Sequence, residues 1–305
     1  MAERGDIFMG KTKKCVFKGA SSAIVTPFRG GKVDYIALGK LIDFQIQSGI
    51  DALVVCGTTG ECATLADREY REVLAFSLAK ADGRVPMIAG AGSNNIATAV
   101  ERSKFASHLG YDALLCVTPY YNKATDKGLV KSYTAIADAA EKPIILYNVP
   151  SRTGTNISLN VYRELAKHEN IVGVKEASGN ISTVAKLIAE CGDALDIYSG
   201  NDDQTLPLLA LGGLGVISVV SNIIPREMSD LCRKWFAGDA QGARELHEKY
   251  LCLMNSMFLE LNPIPVKTAL SLMGYCAEEF RLPLCEPDGT TRERLSEALK
   301  KYALI

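Results

Sequence analysis

The chain has 305 residues, of which 48% are hydrophobic and 23% are charged, and its formal net charge is −1. This composition is typical of a globular protein with a large buried core, and the net charge gives no electrostatic case for binding nucleic acid or an anionic membrane. Nine cysteines without Cys-x-x-Cys spacing and three scattered histidines argue against a disulfide framework and a metal site, so we expect a reducing cytoplasm.

Residues 1–17 predict a short N-terminal extension, because residues 1–14 are polar and lack the apolar core of a signal peptide. After it, eight short apolar runs recur along the chain. They cover residues 23–25, 52–55, 85–89, 113–117, 143–147, 171–175, 196–199 and 215–218. Near-continuous apolar strands of this kind are typical of a parallel sheet that is covered on both faces.

Helical patterns fill the intervals between these runs. The first one places four apolar side chains on a single face, with Asp34 as a candidate N-cap: Leu38, Leu41, Ile42 and Ile46. Eight strand-helix units predict an α/β fold, a (β/α)₈ TIM barrel that spans residues 1–238 with its extension. An open, doubly wound sheet is the alternative, although no dinucleotide fingerprint or phosphate loop is present.

The alternation of strands and helices stops after the eighth run. Residues 239–305 predict a helical appendage, with helical patterns at 240–259 and 265–274. A Thr290-x-x-Glu293 capping box predicts the start of a last helix.

Two candidate catalytic residues end consecutive runs. Tyr147 ends the fifth run and Lys175 ends the sixth, one strand-helix unit later (175 − 147 = 28). Because consecutive strands usually lie side by side, both side chains are expected at one end of the sheet. A desolvated amine beside an acid-base phenol can form imines, although a lysine at a strand end usually reaches solvent instead.

Other polar side chains follow the remaining runs. Thr58 and Thr59 lie in a Gly57-Thr58-Thr59-Gly60-Glu61 turn that can hold a carboxylate or simply cap a helix. Tyr120 and Tyr121 follow the fourth run, where loop aromatics more often fill an interface. Arg152 follows the fifth run and can bind a carboxylate as a planar fork, or lie free on the surface.

Together these residues predict covalent amine catalysis on a small keto acid at the C-terminal end of the barrel. The lysine attacks the ketone, hydroxyl groups move protons, and backbone donors hold the carboxylate. We expect no metal and no cofactor beyond the covalent imine on Lys175.

The chain resembles the dihydrodipicolinate synthase / N-acetylneuraminate lyase family of pyruvate-dependent barrels, in register from about residue 18 to the C-terminus. The matching motifs are Gly57-Thr58-Thr59-Gly60-Glu61, Thr118-Pro119-Tyr120-Tyr121-Asn122, Tyr147-Asn148-Val149-Pro150-Ser151-Arg152-Thr153-Gly154, Gly173-Val174-Lys175-Glu176-Ala177, Gly212-Gly213 with Gly215-Val216-Ile217-Ser218, and Asn262-Pro263-Ile264-Pro265-Val266-Lys267. The Thr58-Thr59 pair and the Ser151–Gly154 loop look like the synthase branch.

The resemblance implies specific catalytic roles. Lys175 would form the Schiff base with pyruvate, and Tyr147 would move protons during imine formation and the later addition. Thr58 would connect Tyr147 to Tyr121 in a proton relay. Tyr121 would reach into the neighbouring subunit of a homotetramer built as a dimer of dimers.

The resemblance also implies how the substrates bind. Thr59, with Thr58, would hold the carboxylate of pyruvate, and Arg152 would bind that of L-aspartate-4-semialdehyde. The carbonyl of Ile217 and the Gly200 turn would line the floor of the site. The implied product is 4-hydroxy-tetrahydrodipicolinate, on the diaminopimelate route to lysine.

One region departs from the family pattern. Asn94 and Tyr120, which line a possible allosteric cleft for lysine, are retained. Lysine-inhibited members carry histidine and glutamate where this chain has Asp67 and Thr98. The hypothesis is that feedback inhibition by lysine is weak or absent.

Two other functions remain as alternatives. A related aldolase or lyase acting on N-acetylneuraminate or a 2-keto-3-deoxy sugar acid would keep Lys175 and Tyr147 and differ in what Arg152 accepts. A catalytically silent barrel would normally have lost the lysine or the relay. Neither nucleic acid nor membrane is expected as a partner.

Overall fold

The structure is a computed structural model that describes residue 13 and residues 15–305. Eight parallel strands close into a barrel in which neighbouring strands pair in chain order and the first pairs with the last, which confirms the predicted (β/α)₈ architecture. The barrel strands are β1 (Gly19–Ala23), β4 (Ala52–Val55), β5 (Met87–Gly90), β6 (Ala113–Val117), β7 (Ile144–Asn148), β8 (Ile171–Glu176), β9 (Asp196–Ser199) and β10 (Gly215–Ser218). A small antiparallel hairpin, β2 (Phe28–Arg29) and β3 (Lys32–Val33), follows the first strand.

Helices cover the outside of the barrel between successive strands. They are α1 (Tyr35–Gln47), α2 (Asp67–Ala81), α3 (Ile96–Leu109), α4 (Asp126–Ala139), α5 (Pro150–Thr153), α6 (Leu159–Leu165), α7 (Ile181–Cys191), α8 (Thr205–Leu211) and α9 (Pro225–Phe236). Asp34 caps α1 as predicted, since its side chain accepts a hydrogen bond from the Ala37 N–H. The larger apolar core lies between the strands and these helices.

A second, smaller core fills the interior of the barrel. Because side chains alternate along a strand, seven of the eight barrel strands contribute to both cores, and β8 contributes apolar side chains to the outer core alone. In β7, for example, Ile144 and Leu146 belong to the outer core, whereas Ile145 and Tyr147 belong to the inner one. This alternation decides which polar side chains at the strand ends point into the barrel.

The C-terminal region consists of α10 (Ala240–Ser256), α11 (Ile264–Leu272) and α12 (Gly289–Lys301). Helix α10 packs against α9 and α12, so this region lies directly on the barrel. The predicted boundary at residue 238 falls between α9 and α10, and a division into separate folding units there stays a prediction.

Several predicted element bounds are wrong. The first strand lies at Gly19–Ala23 rather than at 23–25, and the third begins at Met87, after Pro86. The last helix is capped by Asp288, whose side chain accepts from the Thr291 N–H, so the predicted Thr290-x-x-Glu293 capping box does not start it. A proline lacks the N–H needed for the ladder, and an aspartate caps as well as a threonine.

The predicted N-terminal extension falls mostly outside the described residues. Its described part closes the base of the barrel: Phe17 stacks on Tyr198 with ring centres 4.3 Å apart. The Lys13 ammonium donates to the carbonyl oxygens of Ala166, His168 and Ile171. These contacts anchor Lys13 beside the end of α6 and Phe17 against β9.

The nine cysteines all lie in the described part of the chain, and all are free thiols. Cys56 and Cys116 are buried, as their apolar runs predict. Across residue 13 and residues 15–305, no helix is long and apolar enough to cross a membrane.

Candidate active site

Lys175 and Tyr147 face each other inside the barrel. They are register partners in the pairing of β7 with β8, and the Lys175 Nζ lies 4.4 Å from the centre of the Tyr147 ring. Lys175 is 5% exposed. The neighbouring Val174 belongs to the outer core, so alternation turns Lys175 inward. The sequence prediction that the two side chains meet at one end of the sheet is confirmed.

Burial changes the acid-base character of Lys175. Desolvation lowers the pKa of its ammonium from 10.5 to about 8. The carboxylate of Asp202 raises this pKa, and the guanidinium of Arg152 lowers it further. The amine is therefore partly neutral near pH 8, which is the state in which it can act as a nucleophile.

Glu176, the residue after Lys175, points to the opposite side of β8. Its carboxylate is buried among the helices and accepts hydrogen bonds from the Asn148 Nδ2 (2.9 Å), the Tyr162 hydroxyl (3.1 Å) and the Ser178 N–H (2.7 Å). Three donors satisfy the buried charge without a cation. The network fixes the ends of β7 and β8, and with them the separation between lysine and phenol.

Tyr147 is buried beside the lysine, and desolvation raises the pKa of its phenol. The charge of Arg152 and a side-chain interaction with Thr58 act in the opposite direction. The phenol therefore stays protonated at neutral pH and can donate a proton.

The predicted carboxylate-binding turn follows β4. It is held by hydrogen bonds from the Gly60 N–H to the Gly57 carbonyl (3.1 Å) and from the Glu61 N–H to the Thr58 carbonyl (3.0 Å). Glu61 has the left-handed backbone angle φ 52°. Among the described residues, the N–H groups of Thr58 and Thr59 have no acceptor, so both remain available to an anion.

Thr59 and Arg152 are connected through a residue from the C-terminal region. The Asn262 Nδ2 donates to the Thr59 Oγ1 at 3.0 Å, and the Asn262 carbonyl accepts from the Arg152 Nη2 at 2.8 Å. Thr59 is buried, whereas Arg152 is exposed on the short helix α5. A buried hydroxyl and an exposed guanidinium thus lie on two sides of one asparagine.

Gly200 packs directly against the lysine. A Cβ at this position would lie 2.6 Å from the Ala177 Cβ and 3.1 Å from the Lys175 Cε. The Gly200 N–H also donates to the Glu176 carbonyl at 2.8 Å. Only glycine leaves room here, which agrees with its predicted place on the floor of the site.

Two more groups complete the interior near the lysine. Ile217, on β10, belongs to the same inner core as Tyr147. Asp202 is buried, and its Oδ2 accepts from the N–H groups of Val219 (3.2 Å) and Val220 (2.8 Å). Burial raises the pKa of this carboxyl, while a side-chain interaction with Ser218 and the two backbone hydrogen bonds lower it.

The two tyrosines in the loop after β6, which we call the β6 loop, are far more exposed than Lys175 and Tyr147. Tyr121 is 91% exposed and has φ 69°, so it extends away from its own barrel. Tyr120 is 36% exposed. The Asn122 Nδ2 donates to the Asn94 carbonyl at 3.1 Å, which ties this loop to the one that carries Asn94.

The two departures from the lysine-inhibited pattern lie at the starts of helices. Asp67 opens α2, and its carboxylate pairs with the Arg71 guanidinium at 2.7 Å. Thr98 lies in the first turn of α3. Neither position offers a free carboxylate.

Sequence reasoning missed the polar groups that the C-terminal region contributes. Asn262 joins Thr59 to Arg152, and the Lys267 Nζ pairs with the Glu61 Oε1 at 2.6 Å. The Asn262-Pro263-Ile264-Pro265 motif indicates only a stiff turn before a helix. Its contacts lie more than a hundred residues away in sequence, and no local pattern reports them.

Comparison with known proteins gives a consistent result. Residues 16–302 match the model of the dihydrodipicolinate synthetase family. A 4-hydroxy-tetrahydrodipicolinate synthase of Geobacter metallireducens is 50% identical over 290 residues, which cover 95% of this chain and 100% of that protein.

Solved structures agree with the sequence relatives. The chloride-inhibited dihydrodipicolinate synthase of Acinetobacter baumannii in complex with pyruvate has a TM-score of 0.92 at 44% identity, covering 94% of this chain and 99% of the other. A structure described as the first monomeric dihydrodipicolinate synthase variant has a TM-score of 0.93 at 41% identity, covering 95% and 98%. Both similarities extend over the barrel and the C-terminal helices.

Proposed function

The chain belongs to the dihydrodipicolinate synthetase family, and we propose that it condenses pyruvate with L-aspartate-4-semialdehyde to give 4-hydroxy-tetrahydrodipicolinate. The reaction proceeds through an imine on Lys175 and serves the diaminopimelate route to lysine. The observation that carries the proposal is the buried Lys175 amine 4.4 Å from the centre of the Tyr147 ring, with its pKa lowered to about 8.

The covalent step follows from the states of these two groups. The neutral Lys175 amine attacks the keto carbon of pyruvate, and a carbon–nitrogen bond forms. The Tyr147 phenol donates a proton to the departing oxygen, so that water leaves and the imine remains. The Tyr147 phenolate then takes a proton from the methyl group to give the enamine, whose carbon attacks the aldehyde, and the regenerated phenol donates that proton to the aldehyde oxygen. The amino group of the second substrate finally displaces Lys175 and closes the ring.

Separate groups hold the two carboxylates. The N–H groups and hydroxyls of Thr58 and Thr59 bind that of pyruvate, and Arg152 binds that of the semialdehyde. Gly200 and the carbonyl of Ile217 line the floor. The lack of space beside Gly200 supports this arrangement, because a side chain there would displace the lysine.

No cofactor is required beyond the covalent imine, and we place the reaction in the reducing cytoplasm. The working form is a homotetramer, a dimer of dimers in which Tyr121 completes the proton relay from Tyr147 and Thr58 of a neighbouring subunit. The 91% exposure of Tyr121 in the single chain supports this assembly.

Feedback by lysine is weak or absent. The proposed cleft contains Asn94 and Tyr120. Asp67 is paired with Arg71, and Thr98 carries no charge. The ammonium groups of a lysine molecule bound there would therefore meet no free carboxylate at these two positions. A clear inhibition curve at sub-millimolar lysine contradicts this expectation.

Borohydride trapping tests the central step. Pyruvate and borohydride should add one reduced pyruvate to the peptide that contains Lys175, as measured by mass spectrometry. Lys175→Ala should abolish the gain. With semialdehyde present, unmodified protein should form the cyclic product and should not cleave N-acetylneuraminate or a 2-keto-3-deoxy sugar acid. Unlabelled Lys175 in the folded protein would refute the proposal.

The role of the phenol has its own test. Tyr147→Phe should still bind pyruvate but turn over roughly 10² to 10⁴ times more slowly, because a general acid-base group is lost. Steady-state turnover and the pyruvate concentration at half-maximal trapping separate the two effects. Near-normal turnover would exclude Tyr147 from proton transfer.

A further inference from the structure

A fully buried ion pair joins the C-terminal region to the turn that holds Thr58 and Thr59. The Lys267 ammonium, on α11, lies 2.6 Å from a carboxylate oxygen of Glu61, and the two side chains are 0% and 1% exposed. The Nζ also lies 4.0 Å from the centre of the buried Phe28 ring. The second Glu61 oxygen accepts from the Arg281 N–H at 3.3 Å.

Stability alone does not account for such a pair. Removing two charges from water costs about as much as their attraction returns, so two apolar side chains of similar size would serve the core equally well. What a buried pair provides is one defined geometry, because each charge has a single acceptable partner position. The question is therefore which part of the molecule this geometry fixes.

The pair fixes the backbone beside the candidate carboxylate site. Glu61 has φ 52°, a conformation that a residue with a side chain rarely adopts, and its N–H donates to the Thr58 carbonyl. The Thr64 side chain and N–H both donate to the Glu61 carbonyl. An anchored Glu61 side chain therefore holds the turn in the form that presents Thr58 and Thr59.

Asn262 acts from the same segment on the other side of the site. Its Nδ2 donates to the Thr59 hydroxyl, and its carbonyl accepts from Arg152. We call Asn262 and Lys267 together the C-terminal clamp. The clamp touches the turn after β4 and the loop after β7, which carry the two carboxylate-binding groups, and it leaves Lys175 and Tyr147 alone.

We propose that the C-terminal clamp, acting through Glu61, is a positioning device that sets Thr58, Thr59 and Arg152 for the two substrate carboxylates. This inference rests on the proposed function. The clamp itself does not touch the reacting atoms. Its loss should weaken binding of pyruvate while the intrinsic reactivity of Lys175 remains.

The test is the pyruvate dependence of trapping in a Glu61→Gln/Lys267→Met double variant. The substitutions remove both charges at nearly constant size, so neither leaves an unpaired buried ion. The pyruvate concentration at half-maximal trapping should rise on the order of tenfold, the effect of losing about one well-placed hydrogen bond. The trapped fraction at saturating pyruvate should match that of the unmodified protein.

Glu278→Gln is the matched control. Glu278 pairs with Arg292 on α12 at 3.0 Å and accepts from the Thr268 hydroxyl on α11 at 3.4 Å, so it holds the same C-terminal region together without touching Glu61 or the Thr58–Thr59 turn. This variant should lose thermal stability and keep the pyruvate half-saturation. If the double variant keeps it as well, the ion pair is only structural and the proposal fails.

A second variant decides the matter if the double variant does not accumulate as folded protein. Asn262→Ala leaves the ion pair intact and deletes the donor to Thr59, and it should raise the pyruvate half-saturation in the same way. An unchanged value there overturns the proposal. Failure of the unmodified protein to be trapped at all would instead overturn the proposed function.

Discussion

Lys175 suits the proposed role of nucleophile because it lies where an ammonium ion is unfavourable. At a pKa of 10.5, only about 0.1% of the amine is neutral at pH 7.5, whereas at a pKa of about 8 roughly a quarter is neutral. The gain of more than two orders of magnitude comes mainly from burial in the barrel interior. Asp202 raises the pKa, which keeps the shift from growing larger.

The first prediction concerns the pH dependence of imine formation. The initial rate of borohydride trapping at saturating pyruvate should rise with pH and level off above about pH 8, as the amine loses its proton. Arg152→Gln removes a positive charge that lowers the Lys175 pKa, so its midpoint should move to higher pH. A midpoint near the ordinary lysine value in unmodified protein would contradict the desolvation argument.

The second prediction is that the buried ammonium of Lys175 destabilises the fold. Below pH 8 the folded protein must hold a desolvated ammonium, and a shift from 10.5 to about 8 corresponds to about 3 kcal/mol at most. Between pH 8 and pH 10.5 the unfolded chain binds more protons than the folded one, so stability rises with pH there. Lys175→Met should therefore stabilise the protein at pH 7, and the advantage should shrink as pH rises.

Urea unfolding at pH 7 and pH 9.5 measures this difference. Lys186→Met, an exposed lysine on α7, serves as the control and should change neither value. A Lys175→Met variant that is less stable than the unmodified protein at pH 7 would show that packing, not desolvation, dominates at this position.

At the element scale, the order of strands and helices could be predicted because buried parallel strands are continuous apolar runs. The first strand could not be placed, since its Ser21 and Ser22 are buried and its position is set by pairing with β10 and β4. Local apolarity carries no information about such pairing. The predicted run at 23–25 therefore begins at Ala23, the last residue of the strand that the structure shows.

The candidate site also has one part that the sequence predicts and one part that it does not. Lys175 and Tyr147 could be brought together from sequence because they end consecutive strands of one sheet. Asn262 and Lys267 could not, because they reach the site from the turn before α11 and from α11 itself, across 203 and 206 residues to Thr59 and Glu61. Long-range polar contacts of this kind depend on how the appendage docks on the barrel.

The third prediction follows from the corrected start of α12. The Asp288 carboxylate accepts from the Thr291 N–H at 2.7 Å, so Asp288→Ala should cost about 1 kcal/mol of unfolding free energy. Thr290→Ala removes the hydroxyl that the sequence motif favoured and should cost much less. Urea unfolding of the two variants compares them directly. A larger loss of unfolding free energy in Thr290→Ala than in Asp288→Ala would show that the Thr290-x-x-Glu293 box caps the helix.

At the scale of the whole molecule, the β6 loop is the part of the proposed site that a single chain leaves exposed. Tyr121 is 91% exposed in the left-handed region of backbone space. A large aromatic side chain gains most when it is buried, and the proposed interface with a second copy would supply that burial. Lys175 and Tyr147, by contrast, are complete within one barrel.

The last prediction separates assembly from catalysis at Tyr121. Tyr121→Ala should shift the assembly toward smaller species in sedimentation velocity and lower turnover, because both ring and hydroxyl are lost. Tyr121→Phe keeps the ring, so it should retain the unmodified assembly and lose turnover only through the proton relay. Pyruvate trapping on Lys175 should survive in both variants, since the imine forms within one chain. If the Tyr121→Ala variant keeps the mass of the unmodified assembly and its turnover, Tyr121 belongs neither to the interface nor to the proton relay.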